Sequence, residues 1–191
     1  MGWIGWIIVG VVVVLIIALI AWLIKTYNKL VKARLKVKNS WSQIDVQLKR
    51  KYELIPNLAE IAKGYAKHES GIFEEFARAR NVYQQASASG DVKGVAKADT
   101  MLSGALSRLI AVSEAYPELK ADQHFAKVMS ELSETEDKVA YTRQFYNDVV
   151  TTYNTMREVF PSSIIANMFN FQEAQLYEAE EAAREGLKLQ F

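Results

Sequence analysis

The chain has 191 residues and no cysteine, so it has room for one anchor and one domain, without disulfides, thiolate metal ligands or a cysteine nucleophile. The two histidines, His68 and His124, are too few for a histidine-rich metal site. A formal net charge of +1 gives no basic excess of the kind that marks nucleic-acid binders, and we expect no nucleic-acid partner.

The first predicted element is a membrane-spanning helix from Trp3 to Ile24. These 22 residues carry no charge. At 1.5 Å per residue such a helix is about 33 Å long, enough for a hydrocarbon core of about 30 Å. A cleaved signal peptide is disfavoured, because no basic residue precedes the apolar run and no Ala-x-Ala follows it. The interfacial aromatic residues of this anchor are Trp3, Trp6, Trp22 and Tyr27.

A basic neck follows the anchor and precedes the first acidic residue, Asp45. By the positive-inside rule, the chain is expected in the inner (plasma) membrane as a single-pass protein, with its N-terminus outside and its domain in the cytoplasm. The same cations are candidates for contact with anionic lipid headgroups, at about 1 kcal/mol each. The neck cations are Lys25, Lys29, Lys32, Arg34, Lys36 and Lys38.

The helical pattern continues from the anchor into the domain as one rod. Steps of four and three residues, typical of a coiled-coil seam, join Leu23, Tyr27, Leu30, Arg34, Val37, Trp41, Ile44 and Leu48. Pro56 is predicted to kink this helix or to restart it, because proline lacks an N–H and clashes with the preceding turn. The pattern then resumes as far as Tyr65.

Three further long amphipathic helices and one short helix are predicted after this rod. The second helix carries the apolar residues of 72–83, the third covers about 91–115, and the fourth runs from about Pro117 to Val159. The fold class is therefore all-α, an antiparallel four-helix bundle with long helices. The expected organisation is an anchor (1–24), a basic neck (25–40), the bundle (41–160), and a C-terminal part (161–191) that comprises a short apolar helix (164–169) and an acidic tail.

One segment of the first helix resembles the LemA family of bacteria. Residues 41–58 read Trp41-Ser-Gln-Ile-Asp-Val-Gln-Leu-Lys-Arg-Lys-Tyr-Glu-Leu-Ile-Pro-Asn-Leu58. The match continues at Gly64-Tyr65, His68-Glu69 and Ala79-Arg80, and returns at Phe160-Pro161-Ser162, Ile165-Ala166 and Phe169-Asn170-Phe171. The chain departs from the family where Asn170 replaces the usual glycine and where its end is less proline-rich. The motif residues that we assign to packing are Trp41, Ile44, Asp45, Leu48, Pro56, Asn57 and Tyr65.

The resemblance implies a single-pass membrane protein with a helical bundle and an N-terminus outside the cell. It implies no established activity. Family members are often encoded near membrane proteases and envelope-stress proteins, so a membrane protease or another envelope protein is a candidate partner beside the lipid bilayer.

The sequence contains no motif for catalysis, metal binding or a cofactor. His68-Glu69 begins like a zincin helix, but Ile72 stands where the second histidine is required. The acidic residues of 131–137 are more typical of a solvated helix face than of a cation site. We therefore expect no catalytic residue, no metal and no cofactor.

Two functional hypotheses remain open, with an enzyme of unrecognised site as a weaker third. The first is a non-enzymatic scaffold that assembles with itself as a homo-oligomer or with envelope proteins, its acidic tail meeting the neck of a neighbouring copy. The alternative is a lipid-binding, membrane-remodelling stress protein that acts on the bilayer through the neck and the apolar helix 164–169. The expected oligomer or partner contacts are Leu30, Val37, Ile165, Phe169 and Phe171.

Overall fold

The computed structural model describes residues 2–178. In order along the chain these residues form α1 (Trp3–Tyr65), α2 (Ser70–Ser89), α3 (Val92–Ala115), α4 (Pro117–Ala121), α5 (Gln123–Glu158) and α6 (Ser162–Met168). Strands are absent from this described range, so the predicted all-α class is confirmed. The acidic tail beyond residue 178, including the expected contact with a neighbouring copy, lies outside the described residues.

Helix α1 continues through Pro56 without a restart, in 63 residues. Of the two outcomes predicted at Pro56, a kink or a restart, the restart is therefore wrong, although proline removes one backbone hydrogen bond from a helix interior. The reason lies in the neighbouring side chains: Ile55 and Leu58 are both buried. Burial of an apolar face stabilises a helix more than local propensity does, so tertiary packing keeps this turn helical.

Contacts divide the described residues into two units. Unit 1 comprises residues 2–39 and 148–174, and unit 2 comprises residues 40–147 and 175–178. Helices α1 and α5 therefore each contribute one part to unit 1 and one part to unit 2.

In unit 2, parts of α1 and α5 run antiparallel and pack with α2 and α3. Trp41 packs on Tyr146, with ring centroids 5.5 Å apart, and further along α1 Lys51 pairs with Glu136. As residue numbers rise along α1, those of its partners on α5 fall. The unit's core includes Ile44, Leu48, Leu58, Ile72, Phe76, Val95, Leu102, Leu109, Leu132 and Val139.

Helices α2 and α3 form a hairpin around Gly90. This glycine has a φ of 69°, in the left-handed region that favours glycine, and its N–H donates to carbonyls of Ala86 and Ser87 at the end of α2. Of the apolar residues of 72–83 that the sequence assigns to the second helix, Ile72, Phe76, Ala79 and Tyr83 are buried, whereas Phe73 is half-buried.

The predicted fourth helix is divided at Asp122 into α4 and α5, so its single span from Pro117 is wrong. The Asp122 carboxylate accepts hydrogen bonds from the backbone N–H groups of His124 (2.7 Å) and Phe125 (3.0 Å). These bonds satisfy donors at the start of α5, as a helix N-cap does. Pro117 itself occupies the first turn of α4, as predicted.

Candidate functional site

The apolar segment of α1, residues 3–24, is exposed in unit 1 over nearly its whole length, with Trp22 and Leu23 half-buried at its end. Its most apolar 18-residue window has a mean hydropathy of 3.4, and none of that window is buried. A core helix of the same composition would be covered by neighbouring elements. Within residues 2–178 this is the one helix long and apolar enough to cross a membrane. An exposed apolar surface of this size requires an apolar environment.

All six neck cations are exposed where they follow the apolar segment. One of them also contacts the folded part of unit 1: the Arg34 guanidinium carbon lies 5.3 Å from the centroid of the Phe171 ring. This is within the range of a cation–π interaction. The predicted headgroup contacts of the neck therefore involve side chains that reach solvent.

The first half of the predicted seam packs inside unit 1. The cluster is formed by Leu30, Tyr153, Ile165, Ala166 and Phe171, all buried, with Trp22, Leu23, Val37 and Met156 packed against it. Three residues that we expected at a partner surface, Leu30, Ile165 and Phe171, thus lie in the core of their own unit. Val37 is half-buried against the same core, whereas Phe169 is exposed.

The turn between α5 and α6 exposes a group of large apolar side chains, here called the apolar corner: Val159, Phe160, Ile164, Met168 and Phe169. Phe160 is the most exposed of them, at 76 %. The corner lies beside the end of the apolar segment, because Phe169 packs on Tyr27 with ring centroids 4.7 Å apart. The sequence predicts the apolar character of 164–169, and the structure adds Val159 and Phe160 to the same exposed group.

Unit 2 contains a buried ion-pair network centred on Lys51, whose exposure is 0 %. Its Nζ lies 2.6 Å from Oδ1 of Asp99 and also pairs with a carboxylate oxygen of Glu136. The Tyr177 hydroxyl donates to the other Asp99 oxygen at 3.2 Å, and Nζ of Lys51 donates to Ser103 Oγ at 3.4 Å. The network therefore joins α1, α3, α5 and the segment after α6.

Sequence reasoning missed this network, although a signal was present. Continuing the seam by three and four residues beyond Leu48 gives Lys51, then Ile55 and Leu58. On α3, Asp99 falls between Val95 and Leu102 at the same spacing. A single charge at a core position of each of two helices indicates an ion pair between them.

Two tyrosine hydroxyls in the interior of unit 2 have raised pKa values. Burial, reinforced by the Asp99 carboxylate, raises the pKa of Tyr177 and of Tyr52 far above the ordinary value. Both phenols therefore remain neutral at physiological pH. Lys51 is fully buried and paired with carboxylates, so its ammonium group does not face solvent.

Asp45, assigned to the family motif, accepts hydrogen bonds from hydroxyls. Its partners are Tyr83 (3.3 Å) and Ser87 (3.2 Å) on α2. The Tyr83 ring stacks on Tyr52 at 4.1 Å, and burial, followed by the Asp45 charge, raises the pKa of Tyr83 to about 12. These residues line an open groove of about 480 Å³, which Lys49 also borders.

The other motif residues fall into two groups. Ile44 and Leu48 are buried, and Trp41 packs between Tyr146 and Tyr177. Pro56, Asn57 and Tyr65 lie on the surface of α1, where the Tyr65 hydroxyl donates to Asp122 at 2.8 Å. The contacts of Trp41, Ile44, Leu48 and Tyr65 stabilise the fold of unit 2, whereas Pro56 and Asn57 are exposed.

An extended segment, 172–178, is bound to α5 through its backbone. In unit 2 the Tyr146 hydroxyl donates to the Gln175 carbonyl (2.8 Å), and the Asn147 amide pairs with both the N–H and the carbonyl of Tyr177 (2.9 and 3.0 Å). In unit 1 the same dipeptide, Tyr153-Asn154, makes the equivalent bonds to Gln172 and Ala174. This part of the predicted tail is therefore an integral element.

Groups of three or more histidine, cysteine or acidic residues placed to hold a metal ion are absent from the described part of the chain. Of the four acidic residues of 131–137, Glu134 and Asp137 are exposed, whereas Glu131 and Glu136 are half-buried. One of them, Glu136, belongs to the Lys51 network. This helix face therefore contributes to packing as well as to solvation.

Comparison with known proteins identifies one matching family and several similar proteins. The family model described as LemA family matches residues 40–191. A magnetosome protein named MamQ 2 from Paramagnetospirillum magneticum is 26 % identical over 190 residues, covering 87 % of this chain and 70 % of that protein. MamQ from Magnetospirillum gryphiswaldense is 23 % identical with the same coverage. Protein LemA from Metamycoplasma hominis is 21 % identical over 157 residues, covering 82 % of this chain and 71 % of that protein.

Proposed function

The chain belongs to the LemA family, and we propose that it is a membrane-anchored, non-enzymatic scaffold whose helical domain assembles with further copies or with other envelope proteins. The observation that carries the proposal is the exposed apolar segment of α1, directly followed by exposed neck cations. An apolar segment followed by cations supports the interpretation that α1 anchors the helical domain to a bilayer.

The interior of unit 2 supports a scaffold better than an enzyme. The buried charges among its described residues, Lys51 and Asp99, are already paired with each other, and Lys51 also pairs with the half-exposed Glu136. A catalytic centre in a cleft requires titratable groups that can reach a substrate. Here the charged groups instead join helices, a role in which buried ion pairs specify one packing arrangement.

Unit 2 has exposed apolar side chains that form a candidate surface for contact with further copies or with other proteins. Tyr141 on α5 is 73 % exposed, and Val46 on α1 is also exposed. Aromatic side chains of this kind supply much of the binding energy at protein interfaces. The full chain, solubilised from native membranes in mild detergent, is expected to have a mass of several copies in light scattering.

The matched pair Tyr141→Glu and Ala140→Glu tests this surface. Both residues are exposed neighbours on α5, and both variants gain the same charge. Tyr141→Glu is expected to reduce the mass of the assembly, and Ala140→Glu to leave it unchanged. A wild-type chain that runs strictly as a monomer, both in detergent and after crosslinking in the membrane, would contradict self-assembly.

The alternative function, direct binding or remodelling of the bilayer, draws on the exposed neck. Anionic headgroups attract such cations over roughly one Debye length, so the interaction should weaken with salt. Tubulation of phosphatidylglycerol-containing vesicles by the purified chain would favour this function. Vesicles that keep their shape would favour the scaffold.

The membrane and the orientation that we propose follow from the same neck. We assign the chain to the plasma membrane with its N-terminus outside, because the cations follow the apolar segment. Protease added to intact cells should then leave the helical domain uncut. Digestion of that domain would reverse the orientation.

A further inference from the structure

The apolar corner of unit 1 has no charged residue in its sequence. From Val159 to Phe171 the chain runs through 13 uncharged residues. Its large side chains do not all fold inward: Phe160, Met168 and Phe169 are 76 %, 64 % and 55 % exposed. A contiguous exposed apolar surface on a folded unit is typical of a contact with a protein or a membrane.

The backbone that carries the corner is attached to the core of unit 1 by buried residues and by hydrogen bonds. Ile165 and Ala166 of α6 are buried in the core of unit 1. The Ser162 hydroxyl donates to the carbonyls of Met156 (2.7 Å) and Val159 (2.9 Å), which fastens the turn to the end of α5. The exposed side chains are therefore fixed in place by the core.

The position of the corner identifies the bilayer as its occupant. Phe169 packs on Tyr27, which follows the last residue of the apolar segment by three positions. Trp22 and Leu23, at the end of that segment, pack against the same core that carries α6. If residues 3–24 span the membrane, contacts within unit 1 place the corner at the level where the helix leaves the hydrocarbon.

We propose that the apolar corner inserts into the boundary between headgroups and acyl chains as a second membrane contact of unit 1, beside the anchor. At this depth Tyr27 would lie at the membrane–water interface, which tyrosine side chains prefer. The exposed neck cations that follow Tyr27 in α1 would lie at the level of the headgroups. This inference rests on the anchoring in the proposed function. Its consequence is that unit 1 is attached to the bilayer at two points and has a fixed orientation to it.

The chain offers a clean experiment because it contains no cysteine. A single cysteine at an exposed position can therefore carry one environment-sensitive fluorophore. The reporters are Phe160→Cys and Met168→Cys, and the control is Asp148→Cys, exposed on α5 of the same unit. Asp148 lies ten residues before the last residue of α5, about 15 Å along the helix.

The full-length variants are reconstituted in vesicles of phosphatidylethanolamine and phosphatidylglycerol. Labels at residues 160 and 168 are expected to emit at shorter wavelength, to be quenched several-fold more by nitroxide lipids than the label at 148, and to be protected from iodide. If iodide quenches all three labels equally, the corner lies in water and the inference is wrong. Protection from both quenchers would mean that a second copy covers the corner, which also overturns it.

A fourth label separates this inference from the anchor itself. Val14→Cys places the fluorophore in the middle of the apolar segment. Lipid quenching at residue 14 together with iodide quenching at residue 160 would refute the corner alone. Iodide quenching at residue 14 would refute the anchor, and with it the proposed function. Unchanged helical circular dichroism in each variant confirms that the labels are read on the folded chain.

Discussion

Lys51 is buried without contact with water, and its charge is balanced by two carboxylates. Desolvation of such a charge is costly, so a buried pair specifies the packing more than it adds to stability. The arrangement requires the helix parts that carry Lys51, Asp99 and Glu136 to meet in one register. A shift of one residue would leave a charge unpaired in the core.

Replacement of Lys51 alone is therefore expected to be severe. Lys51→Met leaves Asp99 buried and unpaired, and should lower the free energy of unfolding by about 3–5 kcal/mol, measured by urea titration in detergent micelles. The double variant Lys51→Met, Asp99→Leu should recover much of this loss. The control Lys49→Met, at an exposed position, should change it by less than about 0.5 kcal/mol. Equal losses in Lys51→Met and Lys49→Met would refute the role of the network.

The buried tyrosines make stability depend on pH in the alkaline range. Burial raises the pKa of Tyr146 from 10.0 to about 12, so the unfolded chain loses this proton before the folded chain does. Its contribution is full below pH 10.0 and is lost as the pH rises toward about 12. Tyr146→Phe should therefore lessen the fall in the free energy of unfolding over this interval.

Tyr141→Phe is the matched control for that pH dependence. Tyr141 is exposed on the same helix. Removal of its hydroxyl should therefore leave the fall in the free energy of unfolding at alkaline pH the same as in the parent chain. An identical pH profile in Tyr146→Phe and the parent chain would show that burial of Tyr146 does not separate its folded and unfolded pKa values.

Among the elements, the extended segment after α6 is the least conventional. Two Tyr-Asn dipeptides seven residues apart, at 146–147 and 153–154, bind its backbone by the same pattern of hydrogen bonds. The oxygen of an asparagine amide can accept from the N–H of one residue while its NH2 group donates to the carbonyl of the same residue. A neighbouring β-strand would offer the same pair of groups. The segment is thus recognised by its main chain, and only Tyr177 enters the core deeply.

Asn147→Ala is expected to loosen this segment without unfolding the helices. It removes both bonds to Tyr177, at a cost of about 1–3 kcal/mol for the buried groups left unpaired. Amide hydrogen exchange at Tyr177 should become faster. Asn81→Ala, at an exposed position on α2, should leave that exchange rate unchanged. Equal rates of amide hydrogen exchange at Tyr177 in the two variants would show that Asn147 does not keep this segment bound to α5.

The helices were predictable where an apolar period of three and four residues repeats, as in α2 and α3. The break at Asp122 was not, because it depends on a side chain capping the next helix, a local bond that leaves the apolar period intact. At Pro56 the sequence left a kink or a restart open, and the helix continues there because Ile55 and Leu58 are buried. The anchor and neck were readable from composition, whereas the Lys51 network required knowing which helices meet.

At the scale of the whole molecule, membrane anchoring is the property on which the proposed functions depend. The segment 3–24 is apolar, uncharged and exposed. An arginine at the centre of a membrane helix costs about 2.5–3.5 kcal/mol on insertion scales, so two of them should abolish stable insertion. The scaffold, the neck contacts and the apolar corner all require that this segment is inside the bilayer.

Alkaline carbonate extraction of native membranes tests this anchoring most directly. The full chain is expected to stay with the membrane pellet, whereas the double variant Leu15→Arg, Ile16→Arg is expected in the soluble fraction. The control Lys29→Gln, which alters the neck and leaves the apolar segment intact, should stay in the pellet. Release of the unaltered chain by carbonate, or retention of the double variant to the same extent, would contradict a transmembrane anchor.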